Sequence, residues 1–91
     1  MSHTVKMRKK LLDRVRRLGG QVRAVERALE QGAECGRVLQ TLAACRGALS
    51  GLLAEVVEGH VREHLADPRV RPRSRAVAAE ELIEIVRAYV K

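Results

Sequence analysis

The sequence predicts an all-α fold: a three-helix protomer that pairs with a second copy into an antiparallel helical-bundle dimer. Three observations lead there. Apolar residues recur in alternating steps of four and three along two long stretches and a shorter third, with no strand-like alternation. Tyr89 is the only aromatic residue and Phe and Trp are absent, so the core must be built from Leu, Val and Ala, and 91 residues of that kind bury little surface alone. The second long stretch carries two apolar stripes, one more than its own first helix can cover.

One domain is expected over residues 1–91, with helices at about 5–30, 34–65 and 76–90. In the first, Leu11, Val15, Leu18, Val22, Val25 and Leu29 form a coiled-coil-like seam. Its phase passes unbroken through Gly19-Gly20, which argues for one continuous, locally weakened helix rather than a helix-turn-helix. Gln31-Gly32 supplies the stop. The second helix carries one stripe of Val38, Leu42, Cys45, Leu49, Leu52 and Val56, and another that includes Cys35, Leu39, Arg46, Leu53, His60 and His64. The small residues of Gly47-Ala48-Leu49-Ser50-Gly51 lie midway along it and would let two backbones cross closely. A twofold axis at that crossing creates two equivalent ends. Asp67-Pro68, Pro72 and alternating arginines mark a linker over 66–74, after which Val77, Leu82, Ile83, Ile85, Val86, Tyr89 and Val90 supply a short third helix.

Charged residues are 32% of the chain and the net charge is +7. The excess is concentrated early: Lys6, Arg8, Lys9, Lys10, Arg14, Arg16, Arg17 and Arg23 are opposed only by Asp13 among the first 24 residues. Such a distribution suits an anionic partner, and Lys10, Arg14 and Arg17 fall at four-three spacing on one polar face. With one tyrosine there is no stacking platform for single strands, so contact with duplex phosphates is the natural role. Arg46 stands on an otherwise apolar or small stripe and needs an acidic partner or an open surface. No apolar run approaches membrane-spanning length and no apolar signal region is seen at the N-terminus, which predicts a cytoplasmic protein without a membrane partner. No phosphate-cradling glycine loop or Ser/His/Asp grouping is present, so catalysis is not expected.

His60 and His64 stand four apart and project from one face of the second helix about one turn apart, the usual spacing for two imidazoles on one metal. Their plainer reading is two solvated residues near a helix C-terminus. Cys35 sits near the N-terminus of the same helix, where a thiolate is favoured; its plainer reading is a small apolar residue. Both fall on one stripe, yet about 37 Å apart along the helix. They can share a metal only if a second copy runs antiparallel, bringing Cys35 of one chain to His60 and His64 of the other. His3 is a further candidate, joined by the amine of Ser2 if Met1 is removed. One thiolate, up to three imidazoles and an amine suit Ni(II) or Co(II), with Zn(II) also admitted, better than Cu(I). Glu63 is near enough to support a ligand, and Cys45, between Leu42 and Leu49, reads as core. The two cysteines are about 15 Å apart on one helix and cannot pair within it.

The runs RVRRLGGQVRAVERAL and ECGRVLQTLAACRGALSGLLAEVVEGHVREHL, with the ending IVRAYVK, resemble the CsoR/RcnR family of bacterial transcriptional repressors over essentially the whole chain. The resemblance implies dimers of three-helix protomers that pair into flat tetramers, bind operator DNA and release it when an inducer binds. The opening MSHT with Cys35, His60 and His64 is similar to the nickel/cobalt-sensing branch, where the N-terminal amine and the positions of His3, Cys35, His60 and His64 bind metal. The copper branch has cysteine where His64 stands. RVRR near the start and RAY near the end resemble the formaldehyde-sensing branch, whose reactive pair is the N-terminal amine and the cysteine. The expected function is a repressor induced by Ni(II) or Co(II), with DNA contacts at Lys10, Arg14, Arg17 and Arg46. The alternatives are formaldehyde sensing through Cys35, and metal buffering without a DNA role.

Overall fold

The computed structural model describes residues 5–89. It contains three helices, α1 (Val5–Glu30), α2 (Cys35–His64) and α3 (Pro72–Tyr89). They fall into two compact units, one made by α1 and α2 up to Ala54, the other by α2 from Glu55 onward and α3. No helix among the described residues is long and apolar enough to cross a membrane.

In the first unit, α1 runs unbroken through Gly19-Gly20 and ends in a Schellman turn. Gly32 takes φ 66°, which glycine adopts without a Cβ penalty. The Ala33 N–H then donates to the Ala28 carbonyl at 2.9 Å and the Gly32 N–H to the Leu29 carbonyl at 3.2 Å. So short a turn folds α2 back beside α1 as an antiparallel hairpin.

The seam between the two helices differs from the single stripe expected on each. Leu11, Leu18 and Val25 are half-buried, but their alternates on α1 are Arg14, Gln21 and Ala28. Val15, Val22 and Leu29 remain 47%, 54% and 63% exposed. On α2, Val38, Thr41, Cys45, Ala48 and Leu52 face inward, while Leu42 and Leu49 stay exposed. The alternation of four and three is therefore split. One member of each pair packs inside the hairpin, and the other lies on its flank. Small or slender groups (Ala28, Thr41, Ala48) occupy the inner positions and let the helices approach. Cys45 is half-buried on the inner seam, away from exposed Leu42 and Leu49.

By helical position Val15, Val22 and Leu29 of α1 and Leu42 and Leu49 of α2 share one flank of the hairpin, because equivalent positions meet on the same side of an antiparallel pair. Lys10, Arg17 and Arg37, all exposed, lie on the opposite flank. The small-residue stretch is divided as well: Gly51 is half-buried against its own α1, whereas a Cβ on Gly47 would meet nothing within 4 Å.

In the second unit, α3 begins four residues before the expected position 76. Pro72, expected to break helix, instead starts one: at the first helical position its fixed φ is favourable and its missing N–H is not needed. The Arg75 N–H donates to the Arg71 carbonyl at 2.9 Å, closing the first turn. The linker shortens accordingly to the turn around Asp67-Pro68. There the Asp67 carboxylate accepts the Arg69 N–H at 2.9 Å and its guanidinium at 2.8 and 3.1 Å. These bonds hold the carboxyl down at about 2, and the same pairing raises Arg69. Arg75 Nη2 donates to the Asp67 and Val70 carbonyls at 3.1 and 3.2 Å, tying the helix to the turn. Val90 lies outside the described residues.

Among the described residues only Ala28 and Ala78 are buried apolar side chains. The protomer has seams but hardly a core, as an aliphatic chain of this length leads one to expect.

Candidate functional site

His60 and His64 lie in the last turns of α2, where four-residue spacing stacks side chains on one face. Their ring centroids are 5.2 Å apart and the rings are inclined by 54°. Both line an open groove of about 780 Å³ whose other wall is α3, with Arg73, Ser74, Val77, Ala78 and Glu81. His60 Nε2 lies 3.0 Å from the Ala78 carbonyl oxygen. A carbonyl can only accept, so Nε2 carries the proton and donates, which in the neutral ring leaves the lone pair on Nδ1. That tautomer, fixed from behind by a backbone group, is the arrangement in which an imidazole is oriented for a metal. Glu81 Oε1 stands 3.9 Å from the same Nε2.

Glu81 is a residue the sequence reading missed. The carboxylate expected to support a ligand was Glu63, which is half-buried but does not line the groove. Glu81 comes from another helix, and periodicity within α2 carries no trace of it.

Cys35 is exposed and is the first residue of α2, so the thiol and the imidazoles occupy opposite ends of one helix. No group of three His, Cys, Asp or Glu side chains able to hold a metal forms among the described residues. His3 and the Ser2 amine lie outside the described residues. A protomer thus supplies two adjacent imidazoles and, elsewhere, an accessible thiol.

The basic candidates separate. Lys10 and Arg17 are exposed on one flank of the hairpin, and Arg14 is half-buried between Leu11 and Leu18 with its guanidinium over Gly51 of α2. Arg46 is exposed on the other side, beside the Leu42 and Leu49 strip. The structure groups the first three and leaves Arg46 apart.

Residues 7–88 match the family model described as metal-sensitive transcriptional repressor. Over the full length of both chains, the sequence is 56% identical to an uncharacterized protein in the bioA 5′ region of Serratia marcescens. It is 37% identical, again over both full lengths, to the transcriptional repressor RcnR of Salmonella paratyphi B. Among solved structures it is similar to a glutamate-to-histidine variant of the formaldehyde-responsive regulator FrmR from Salmonella enterica serovar Typhimurium. That match has a TM-score of 0.89 and 47% identity, and covers 96% of this chain and 98% of the other.

Proposed function

Because the chain belongs to the metal-sensitive transcriptional repressor family, we propose that it is a cytoplasmic repressor that holds operator DNA and releases it on binding Ni(II) or Co(II), derepressing efflux or resistance genes. It is a regulator and not an enzyme, and family membership sets the metal-buffering alternative aside.

The observation that carries this reading is the His60–His64 pair, 5.2 Å between rings, with the His60 tautomer fixed by the Ala78 carbonyl. Two imidazoles do not complete a site. The exposed apolar flank of Val15, Val22, Leu29, Leu42 and Leu49 supports a second copy packed there, since a monomer rarely leaves so much aliphatic surface open. An antiparallel partner brings its Cys35 toward His60 and His64, and His3 with the Ser2 amine completes a nitrogen-rich set suited to Ni(II) or Co(II), with Zn(II) also accepted. Pairing of dimers gives a homotetramer. Lys10, Arg14 and Arg17 would meet the phosphates from the flank left free, and Arg46 would reach DNA only as presented by another copy in that assembly.

A second reading has its own support. Cys35 is exposed at a helix N-terminus, and the 47% identity is to a formaldehyde-responsive regulator. In that reading the Ser2 amine and the Cys35 thiol condense with formaldehyde into an N–CH2–S bridge, losing one water. One experiment separates the two. The reduced full chain, bound to its own upstream DNA, is titrated with Ni(II), Co(II), Zn(II) and formaldehyde. Release by Ni(II) or Co(II), with sulfur-to-metal absorption that Cys35→Ala lacks, is expected. Release by formaldehyde with indifference to the metals would make the second reading the function.

A further inference from the structure

A side chain on Gly51 would collide with Arg14 of the helix packed against it. A Cβ built there would lie 2.8 Å from Arg14 Nη2 and 3.9 Å from Arg14 Cζ. Gly47, one turn earlier on the same helix, would meet nothing within 4 Å. The obstructing atoms belong to neither backbone. They are the far end of a long flexible side chain, so a methyl at 51 displaces the guanidinium and leaves the helices where they are. Arg14 itself occupies an inner position of the hairpin seam and is half-buried. Its stem therefore covers apolar surface while its head emerges at the flank that also carries Lys10 and Arg17, as long cationic side chains do.

We infer that Gly51 is a positioning residue for DNA binding: its bare backbone is the seat that aims the Arg14 guanidinium into the plane of Lys10 and Arg17. A guanidinium is a planar fork whose value to a phosphate depends on its orientation. A group held against a helix backbone keeps its direction, whereas one pushed off by a methyl does not. The inference rests on the reading of Arg14 as a phosphate contact and adds a residue of α2 that makes no contact with DNA itself.

The test uses the full chain with Gly51→Ala, Arg14→Ala and both together, following affinity for the upstream DNA, its dependence on salt, assembly by light scattering, and thermal melting. Gly51→Ala should lose most of the fold-affinity that Arg14→Ala loses and flatten the salt dependence in the same sense. Its melting temperature should equal or exceed that of the wild type, because alanine is favoured over glycine within a helix. Adding Gly51→Ala to Arg14→Ala should cost nothing further. Wild-type affinity for Gly51→Ala beside a weakened Arg14→Ala would overturn the seat alone. So would losses that multiply in the double variant, or a Gly51→Ala chain that melts early or fails to assemble. If Arg14→Ala leaves both affinity and salt dependence unchanged, the reading of Arg14 falls and takes the seat with it.

Discussion

The two flanks of the α1–α2 hairpin are both exposed, but they differ in chemistry. One presents Val15, Val22, Leu29, Leu42 and Leu49; the other presents Lys10, Arg17 and Arg37, with Arg14 reaching toward them over Gly51. The periodicity within each helix is the same on both flanks, and chemistry alone distinguishes them. Apolar surface gains by being covered by more apolar surface, which a second copy can supply. A cationic strip gains by displacing counterions from a polyanion. Under the proposed function, a chain too small to bury its own apolar residues uses one side to assemble and keeps the other for DNA.

The apolar flank offers the largest effect. Leu42 and Leu49 are already about half covered, at 47% and 55% exposure, so covering the rest of each contributes about 1 kcal/mol, and a twofold axis counts every contact twice. Leu42→Glu with Leu49→Glu should therefore cost on the order of 4 kcal/mol of assembly from lost apolar burial, with the desolvated carboxylates adding to it, enough to dissociate a micromolar dimer. Light scattering should show smaller particles, and circular dichroism a loss of helix. A variant that remains fully assembled would remove this flank from the interface and with it the shared metal site.

The basic flank should respond without losing the fold. Lys10→Ala with Arg17→Ala should weaken binding to upstream DNA and reduce the salt slope by about 0.9 for each lost phosphate contact. Helicity and assembly should be unchanged. Arg46→Ala sharpens the comparison, because Arg46 stands on the apolar side. An altered slope would mean that the assembly presents Arg46 from another copy to the same DNA, and an unaltered slope would confine DNA to the Lys10–Arg17 flank.

If the apolar flank joins antiparallel copies, each metal site draws on two chains. Cys35→Ala lacks the thiolate, and His60→Ala/His64→Ala lacks the imidazoles, so neither forms the full site alone. Refolded together, half of random pairs are mixed and each mixed pair has one complete end. About a quarter of all sites should then regain thiolate-to-metal absorption with Ni(II) or Co(II). No recovery would place thiol and imidazoles within one chain, in conflict with the unbroken α2 of Cys35–His64.

Much of this was legible in the sequence, for reasons that vary with the element. Helical phase carried α1 through Gly19-Gly20, and Gly32 announced its end by the one residue type that takes positive φ freely. The His60–His64 pair was visible because four-residue spacing on a helix is itself a geometry. Phase did not reveal which member of each four-three pair turns inward. Arg14 displaced Val15 from the seam because a long stem can lie along apolar surface and still deliver its charge outside, which a hydrophobicity pattern does not register. Glu81 and the Ala78 carbonyl stayed hidden because they reach His60 from another helix. Pro72 was misjudged because the same ring that ends a helix from within begins one at its first position.

The smallest effect belongs to the turn that sets up α3. Asp67 accepts the Arg69 backbone N–H and guanidinium, and its pKa is lowered from 3.8 to about 2. A depressed acid stabilises the fold above its unfolded value and loses that contribution as pH falls through the folded one. The turn should thus keep its full hold at pH 5 and above and surrender it as pH falls from about 4 toward and below 2. Arg69 is 89% exposed, so solvent and salt screen the pair and the gain is slight. Melting of the wild type and Asp67→Ala, compared at successive pH values, should show a small deficit in the variant at pH 6 that shrinks as pH approaches 2 and is reduced by molar salt. No deficit at pH 6 would assign the hold of the turn to Pro68 and to the Val70 N–H donating to the Asp67 carbonyl at 3.1 Å, both of which the variant keeps.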